Sequence, residues 1–111
     1  MRAALVALAL VGSVTVVSAA ERLPTFPKGT PYGSARSSLI ALGWKPVTMP
    51  EAQACDEDDD RCKGRPEMES CAGTGLANCN FTWRRGDTLV AIGTIGETNP
   101  VVVGARCRAG C

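Results

Sequence analysis

The sequence contains no histidine and few aromatic residues: two Trp, two Phe and one Tyr among 111 residues. Without histidine, the chain lacks the side chain that most often acts as a general base near neutral pH. The serines at positions 34, 37, 38 and 70 stand in no arrangement that would activate a nucleophile. The segment Gly73-Thr74-Gly75 lacks the lysine of a phosphate-binding loop. We therefore expect no catalytic residue, no cofactor and no enzymatic activity.

A surplus of charge of either sign is also missing. The chain has 12 Lys plus Arg and 11 Asp plus Glu, and one of the 12, Arg2, lies in an apolar N-terminal segment. Without the first 20 residues, the formal net charge is therefore near zero. Binding to nucleic acid requires a concentrated positive field, and binding to anionic lipid requires a cluster of basic residues. We expect neither as the main partner.

The longest apolar run lies at the N-terminus, from Ala3 to Val17. It follows Arg2 and precedes Ser18-Ala19-Ala20, a pattern typical of a secretory signal peptide that is cleaved after a small residue. An apolar run of about 18 residues could alternatively anchor the chain in a membrane. We predict a signal peptide at 1–20 and a single small domain at 21–111. The protein would then be secreted or periplasmic, with no membrane span after cleavage.

The cysteines show neither a CxxC motif nor the spacing of a zinc site. An even number in a short exported chain predicts three disulfides. Six cysteines allow fifteen pairings, and the sequence alone does not select one of them. Two possibilities are considered. The first choice pairs neighbours along the chain, Cys55 with Cys62, Cys71 with Cys79 and Cys107 with Cys111, and a pairing of the tail with the region 55–79 is the alternative. The six residues are Cys55, Cys62, Cys71, Cys79, Cys107 and Cys111.

A helix is predicted between Thr30 and Trp44. Thr30 can cap its start, and Pro31 suits the first helical position. Gly43 can adopt the left-handed conformation that ends a helix, which lets Trp44 fold back onto the last turn. A helix of about three turns is marginal alone in water, so its apolar face must pack on a sheet. The residues of that face are Tyr32, Ala35, Leu39 and Leu42.

A β-hairpin is predicted around Gly86-Asp87. Apolar and polar residues alternate from position 79 to position 84, and the return strand covers 89–95. The turn position sets the register of the two strands. The pairs expected on one face are Trp83 with Val90 and Phe81 with Ile92.

The remaining segments complete an α+β domain. Residues 45–49 predict a short strand that Pro46 restricts to an edge or to the first strand position. Residues 50–70 are predicted to be an irregular loop, and residues 101–106 form a last strand. We therefore predict one helix packed on a small antiparallel sheet of three to four strands, stapled by disulfides. Trp44, Phe81 and Trp83 are assigned to the core.

The acid run at 56–60 is the candidate metal site. Asp56, Asp58 and Asp60 stand at alternate positions, and Glu67 follows Asp56 by eleven residues, as the oxygen ligands of a calcium loop do. However, Arg61 occupies the position where such a loop requires glycine. We predict a solvated charge run, with calcium binding by these four acids as the alternative.

A wider pattern joins the helix to the hairpin: a YxxAR helix with a later leucine and GW, followed by CxGTGxxxCxFxW. Its residues are Gly29, Tyr32, Ala35, Arg36, Leu39, Gly43, Trp44, Pro46, the segment 71–75, Cys79, Phe81 and Trp83. The pattern resembles a group of small exported bacterial proteins of unknown function. Residues 33–47 are also similar to the helix-then-strand unit of PASTA peptidoglycan-binding modules and to a unit of β-lactamase inhibitor proteins.

A stapled scaffold without catalytic groups predicts a protein that acts by binding. We expect an exported, non-enzymatic binding or inhibitor-like protein whose partner is a protein or a component of the cell envelope. The PASTA likeness implies the alternative, a module that binds peptidoglycan or another saccharide.

Overall fold

The computed structural model describes residue 3, residues 7–12 and residues 23–111. The predicted cleavage after Ala20, and with it the choice between signal peptide and membrane anchor, lies outside these residues. Within them, no helix is long and apolar enough to cross a bilayer. The described chain forms one helix, α1 (Tyr32–Ala41), and five strands. These are β1 (Lys45–Pro46), β2 (Met68–Cys71), β3 (Cys79–Arg85), β4 (Thr88–Ile95) and β5 (Val101–Ala109).

The start of α1 differs from the prediction and its end agrees with it. Pro31 is the residue before the helix, and no side chain caps the first turn. Thr30 instead donates its hydroxyl to the Pro27 carbonyl at 2.6 Å. At the other end, Gly43 has a φ of 86°. The amide of Trp44 donates to the Leu39 carbonyl at 2.9 Å, the hydrogen bond that marks a Schellman ending.

The prediction of the apolar face of α1 is confirmed for three of its four residues. Tyr32, Ala35 and Leu39 are fully buried, whereas Leu42 is 61% exposed. Leu42 lies outside the helix, and the turn at Gly43 directs it to solvent. The same turn folds Trp44 into the core, where it is 3% exposed.

The sheet is antiparallel, and β3 lies in its interior. One side of β3 pairs with β4, which in turn pairs with β5; the other side pairs first with β2 and then with β1. The predicted count of three to four strands is therefore wrong, because β2 lies at the end of the segment predicted to be irregular. Its sequence, MESC, shows no apolar alternation, so only its pairing with β3 makes it a strand.

The hairpin is confirmed in register. Trp83 lies opposite Val90 and Phe81 opposite Ile92, with Gly86-Asp87 as the turn. The helix packs on this face, where the Tyr32 ring stacks on Phe81 with a centroid distance of 3.8 Å. The last strand is longer than predicted, since β5 continues past Arg106 to Ala109. An α+β architecture with one helix on the sheet is thus confirmed over the described residues.

Thr82 of β3 forms hydrogen bonds where β2 ends and β1 begins along the same side of β3. Its amide donates to the Glu67 carbonyl at 2.9 Å, and its carbonyl accepts the amide of Val47 at 3.0 Å. Its hydroxyl donates to the Val47 carbonyl at 2.8 Å. A threonine in a buried strand therefore satisfies the backbone where one short strand ends and the other begins.

All six cysteines, which lie within 23–111, are paired as neighbours along the chain. The bonds are Cys55–Cys62, Cys71–Cys79 and Cys107–Cys111. This is the first of the two possibilities left open by the sequence. The linked residues are only 7, 8 and 4 positions apart. Each bond therefore shapes one loop or strand end, and none reaches the helix.

The contrast between Leu39 and Leu42 is testable by truncation. Leu39→Ala should lower the free energy of unfolding by about 2–5 kcal/mol, because it leaves a cavity between helix and sheet. Leu42→Ala, the matched control, should change it by no more than about 0.5 kcal/mol. Urea unfolding of both variants measures the difference. Equal losses would contradict the placement of Leu42 outside the core.

Candidate functional site

A buried polar network joins the helix to the sheet. The carboxylate of Glu67, just before β2, is fully buried. It accepts the Tyr32 hydroxyl at 2.9 Å and the Arg36 Nε at 2.6 Å. The Tyr32 oxygen in turn accepts the indole N–H of Trp83 at 3.0 Å. Every polar group in this chain of contacts therefore has a partner, as burial requires.

The protonation states of the network are set by its surroundings. Burial, reinforced by the negative charge of Glu67, raises the pKa of the Tyr32 hydroxyl well above its ordinary value. The hydrogen bond to Glu67 raises the pKa of the Arg36 guanidinium further above its already high value. Tyr32 thus remains a donor and Arg36 a cation at any physiological pH.

Arginine side chains cover the aromatic core at its margins. Arg36 lies over Trp83, Arg65 over Tyr32 and Arg85 over Trp44, with 5.7, 4.9 and 4.6 Å between guanidinium carbon and ring centroid. Cation–π contacts of this kind add stability where a ring would otherwise meet water. The three aromatic residues assigned to the core, Trp44, Phe81 and Trp83, are buried as predicted.

The four calcium candidates do not come together. Asp56, Asp58 and Asp60 line an open depression that Glu97 and Thr98 complete. Glu67 lies instead at the helix–sheet interface, where Tyr32 and Arg36 occupy its oxygens. Among the described residues, no three His, Cys, Asp or Glu side chains are grouped as a metal site requires. The calcium-loop spacing is misleading because an internal salt bridge takes Glu67 out of the loop.

The acid run is held by Arg61, which the sequence analysis named only as a departure from the calcium-loop pattern. Arg61 is buried and donates to both carboxylate oxygens of Asp59, at 2.8 and 2.7 Å. It also donates to the carbonyls of Ala72 and Ala77, in the turn between β2 and β3. The hydrogen bonds that Arg61 donates to Asp59 hold the pKa of the Asp59 carboxyl below its usual range. Arg61 therefore locks two loops together, and its role follows only from their proximity.

An apolar groove runs between the segment 23–29 and β5. Its volume is about 610 Å³. Leu23 and Phe26 line one wall while packing against the core from outside. Val102 is buried beneath the groove, and Val103 is 59% exposed beside it. The sequence analysis missed this groove, because no periodic pattern marks the proline-containing lead-in as one of its walls.

The outer edge of β5 adjoins the groove. Within the described chain, β5 is the last strand of the sheet. Its start is covered, since the Val102 amide donates to the Thr30 carbonyl at 2.8 Å. From Val103 onward, no described strand pairs with the outer side of β5. This part of the strand therefore has backbone donors and acceptors that no described strand pairs with.

The tail after β5 turns away from that edge. Gly110 has a φ of 73°, and its carbonyl accepts the Thr88 hydroxyl at 3.2 Å. Cys111 is bonded to Cys107 and lies next to the Leu89 carbonyl. The tail therefore folds toward β4 and the hairpin turn. The outer side of β5 stays open as a result.

No protein-family model, curated protein or solved structure matches this chain. The resemblance to small exported bacterial proteins therefore stays a prediction. The function of the chain has to be argued from its own surface.

We expect Glu67→Gln to destabilise the fold by about 2–4 kcal/mol, because it removes the buried charge that pairs with Arg36 and puts an amide donor where Arg36 Nη2 donates to the second carboxylate oxygen. Glu69→Gln is the matched control. Glu69 pairs with Arg108 at 2.7 Å in a partly exposed position, and its loss should cost less than about 1 kcal/mol. Chemical unfolding separates the two, and equal effects would show that the buried network does not hold the helix.

Gly110→Ala should undock the tail. A methyl group at this position would overlap the Asp87 carbonyl oxygen, and the positive φ adds strain. We expect faster hydrogen exchange at residues 108–111 in the variant. Gly64→Ala is the control, since Gly64 also has a positive φ but faces open space. A variant at 110 with unchanged exchange of the tail would contradict the observed packing.

Proposed function

We propose that this chain is an exported, non-enzymatic protein that binds another protein through the outer edge of β5 and the adjoining groove. The observation that carries the proposal is the position of Val103. It is a large apolar residue, 59% exposed, at the point where the uncovered edge of β5 meets the apolar groove. An inhibitor-like role belongs to the same proposal, because a rigid edge strand can occupy the cleft of a target.

Edge strands bind partners through a general mechanism. An added strand forms main-chain hydrogen bonds with the edge, and side-chain pockets beside it select the sequence. The β5 edge offers both parts of this mechanism. Pairing with β4 and the Cys107–Cys111 bond fix the strand in place, so little conformational entropy is lost when a partner binds. Disulfide bonds persist in oxidising compartments, which supports export.

The saccharide or peptidoglycan alternative has less support. Saccharide sites commonly use aromatic rings as flat stacking surfaces, and such rings must be open to solvent. Both tryptophans and the tyrosine are buried here. Phe26 is partly exposed but packs against the core. Peptidoglycan binding therefore serves as the competing outcome of the test.

We expect Val103→Asp to reduce capture of the binding partner at least about tenfold, with little change in stability, because the side chain is exposed. Capture by the variant is measured by affinity pull-down from the cell that exports the protein, and photo-crosslinking from position 103 of the otherwise unchanged chain tests whether this position makes the contact. Leu76→Asp is the matched control, since Leu76 is 68% exposed in the turn between β2 and β3. A crosslinker at position 76 should give no discrete adduct.

Two results would overturn the proposal. One is an adduct pattern that is the same from positions 76 and 103. The other is sedimentation of the purified protein with purified peptidoglycan, undiminished by Val103→Asp, which would favour the saccharide alternative.

A further inference from the structure

The walls of the groove and the open part of β5 carry positive charge only. The segments 23–30 and 100–111 contain no Asp or Glu, and their charged residues are Lys28, Arg106 and Arg108. Arg108 reaches across to Glu69 at 2.7 Å, so its charge is compensated. Arg106 is exposed and makes no ion pair with any residue of the described chain. Lys28 lines the groove itself.

The charge pattern disfavours a second copy of this chain at the edge. Two β5 strands paired antiparallel about a twofold axis near Arg106 would bring arginines of both copies face to face. Like charges placed directly opposite each other in a sheet are destabilising. An arginine on an edge strand is therefore also a barrier to self-association. It selects instead for a partner of opposite charge.

The groove adds a second requirement, for an apolar side chain. A strand added to Val103–Ala109 would end beside Val103, at the mouth of the groove. Leu23, Phe26 and Val102 would contact an apolar residue there. Val103 precedes Arg106 by three positions. Relative to β4, β5 has one extra residue at Val103, so the β4 partners of Val102 and Arg106 are three positions apart. A partner strand in the same register places its groove residue about three positions from the residue opposite Arg106.

We infer that the β5 edge binds an extended acidic peptide segment of another protein. The segment places Asp or Glu opposite Arg106 and a bulky apolar residue, about three positions away, into the groove. This inference rests on the proposed function and names the chemistry of its partner. Main-chain hydrogen bonds to β5 supply affinity, while the Arg106 ion pair and the groove supply selectivity.

The test uses the oxidised chain from residue 21 onward and a displayed library of random ten-residue peptides without cysteine. We expect enrichment of peptides that carry Asp or Glu about three positions from Val, Ile, Leu or Phe. A synthetic peptide of the enriched sequence should slow hydrogen exchange in residues 103–109. Its affinity should fall as salt rises, because the pair at Arg106 is exposed to solvent.

Arg106→Glu should weaken this peptide at least about tenfold and shift the library selection toward Lys and Arg. Lys63→Glu is the matched control, an exposed basic residue in the loop before β2, and should change affinity less than about twofold. Arg106→Gln removes the charge without reversing it and should give an intermediate loss. An unchanged melting temperature in each variant confirms that the fold persists.

The possible failures are distinguishable. If enriched peptides protect β5 but are not acidic, or are insensitive to Arg106→Glu, the inference is wrong and the proposed function stands. If no peptide is enriched, or the enriched peptide protects another region, both are overturned. A dimer detected by analytical ultracentrifugation and abolished by Val103→Asp would show that the occupant is a second copy, which also overturns the inference.

Discussion

The buried carboxylate of Glu67 is the constraint on which the packing of this protein depends. A fully buried carboxylate must be paired and hydrogen-bonded, and both of its partners, Tyr32 and Arg36, lie on α1. Rotating or sliding the helix would leave this charge without partners. The indole of Trp83 ties the same hydroxyl to β3. One side chain thereby fixes the helix against the sheet, a task that the disulfides, all of them short-range, do not perform.

The surface of the protein reflects this arrangement, in which Glu67 holds the helix and the disulfides hold individual loops. Both tryptophans and the tyrosine are buried, and arginine side chains lie over their rings. Two surface features lie away from this aromatic core. One is the acid loop, closed by Cys55–Cys62 and locked by Arg61. The other is the edge of β5, with a groove beside it and a tail folded away from it. A rigid interior with an open strand edge is the basis of the proposed binding role.

Sequence reasoning succeeded where a local rule governs the structure. The Gly43 ending, the Gly86-Asp87 turn and the register of Phe81 and Trp83 each depend on residues a few positions apart. It failed where a side chain forms its hydrogen bonds with a different segment from the one that the local sequence pattern indicates. Thr30 binds Pro27 rather than the helix, and Glu67 joins α1 rather than the acid run. The strand β2 is invisible locally because its pairing partner, not its composition, makes it a strand.

The sequence by itself determined the α+β class, the apolar face of the hairpin and the cysteine content. These follow from composition and from periodicities that act within one helix or hairpin. The tertiary structure alone decided where Glu67 goes and which edge of the sheet stays open. Such outcomes depend on contacts between residues tens of positions apart. Burial removes water from these polar groups, so each must form its hydrogen bonds with the residues that the fold places beside it.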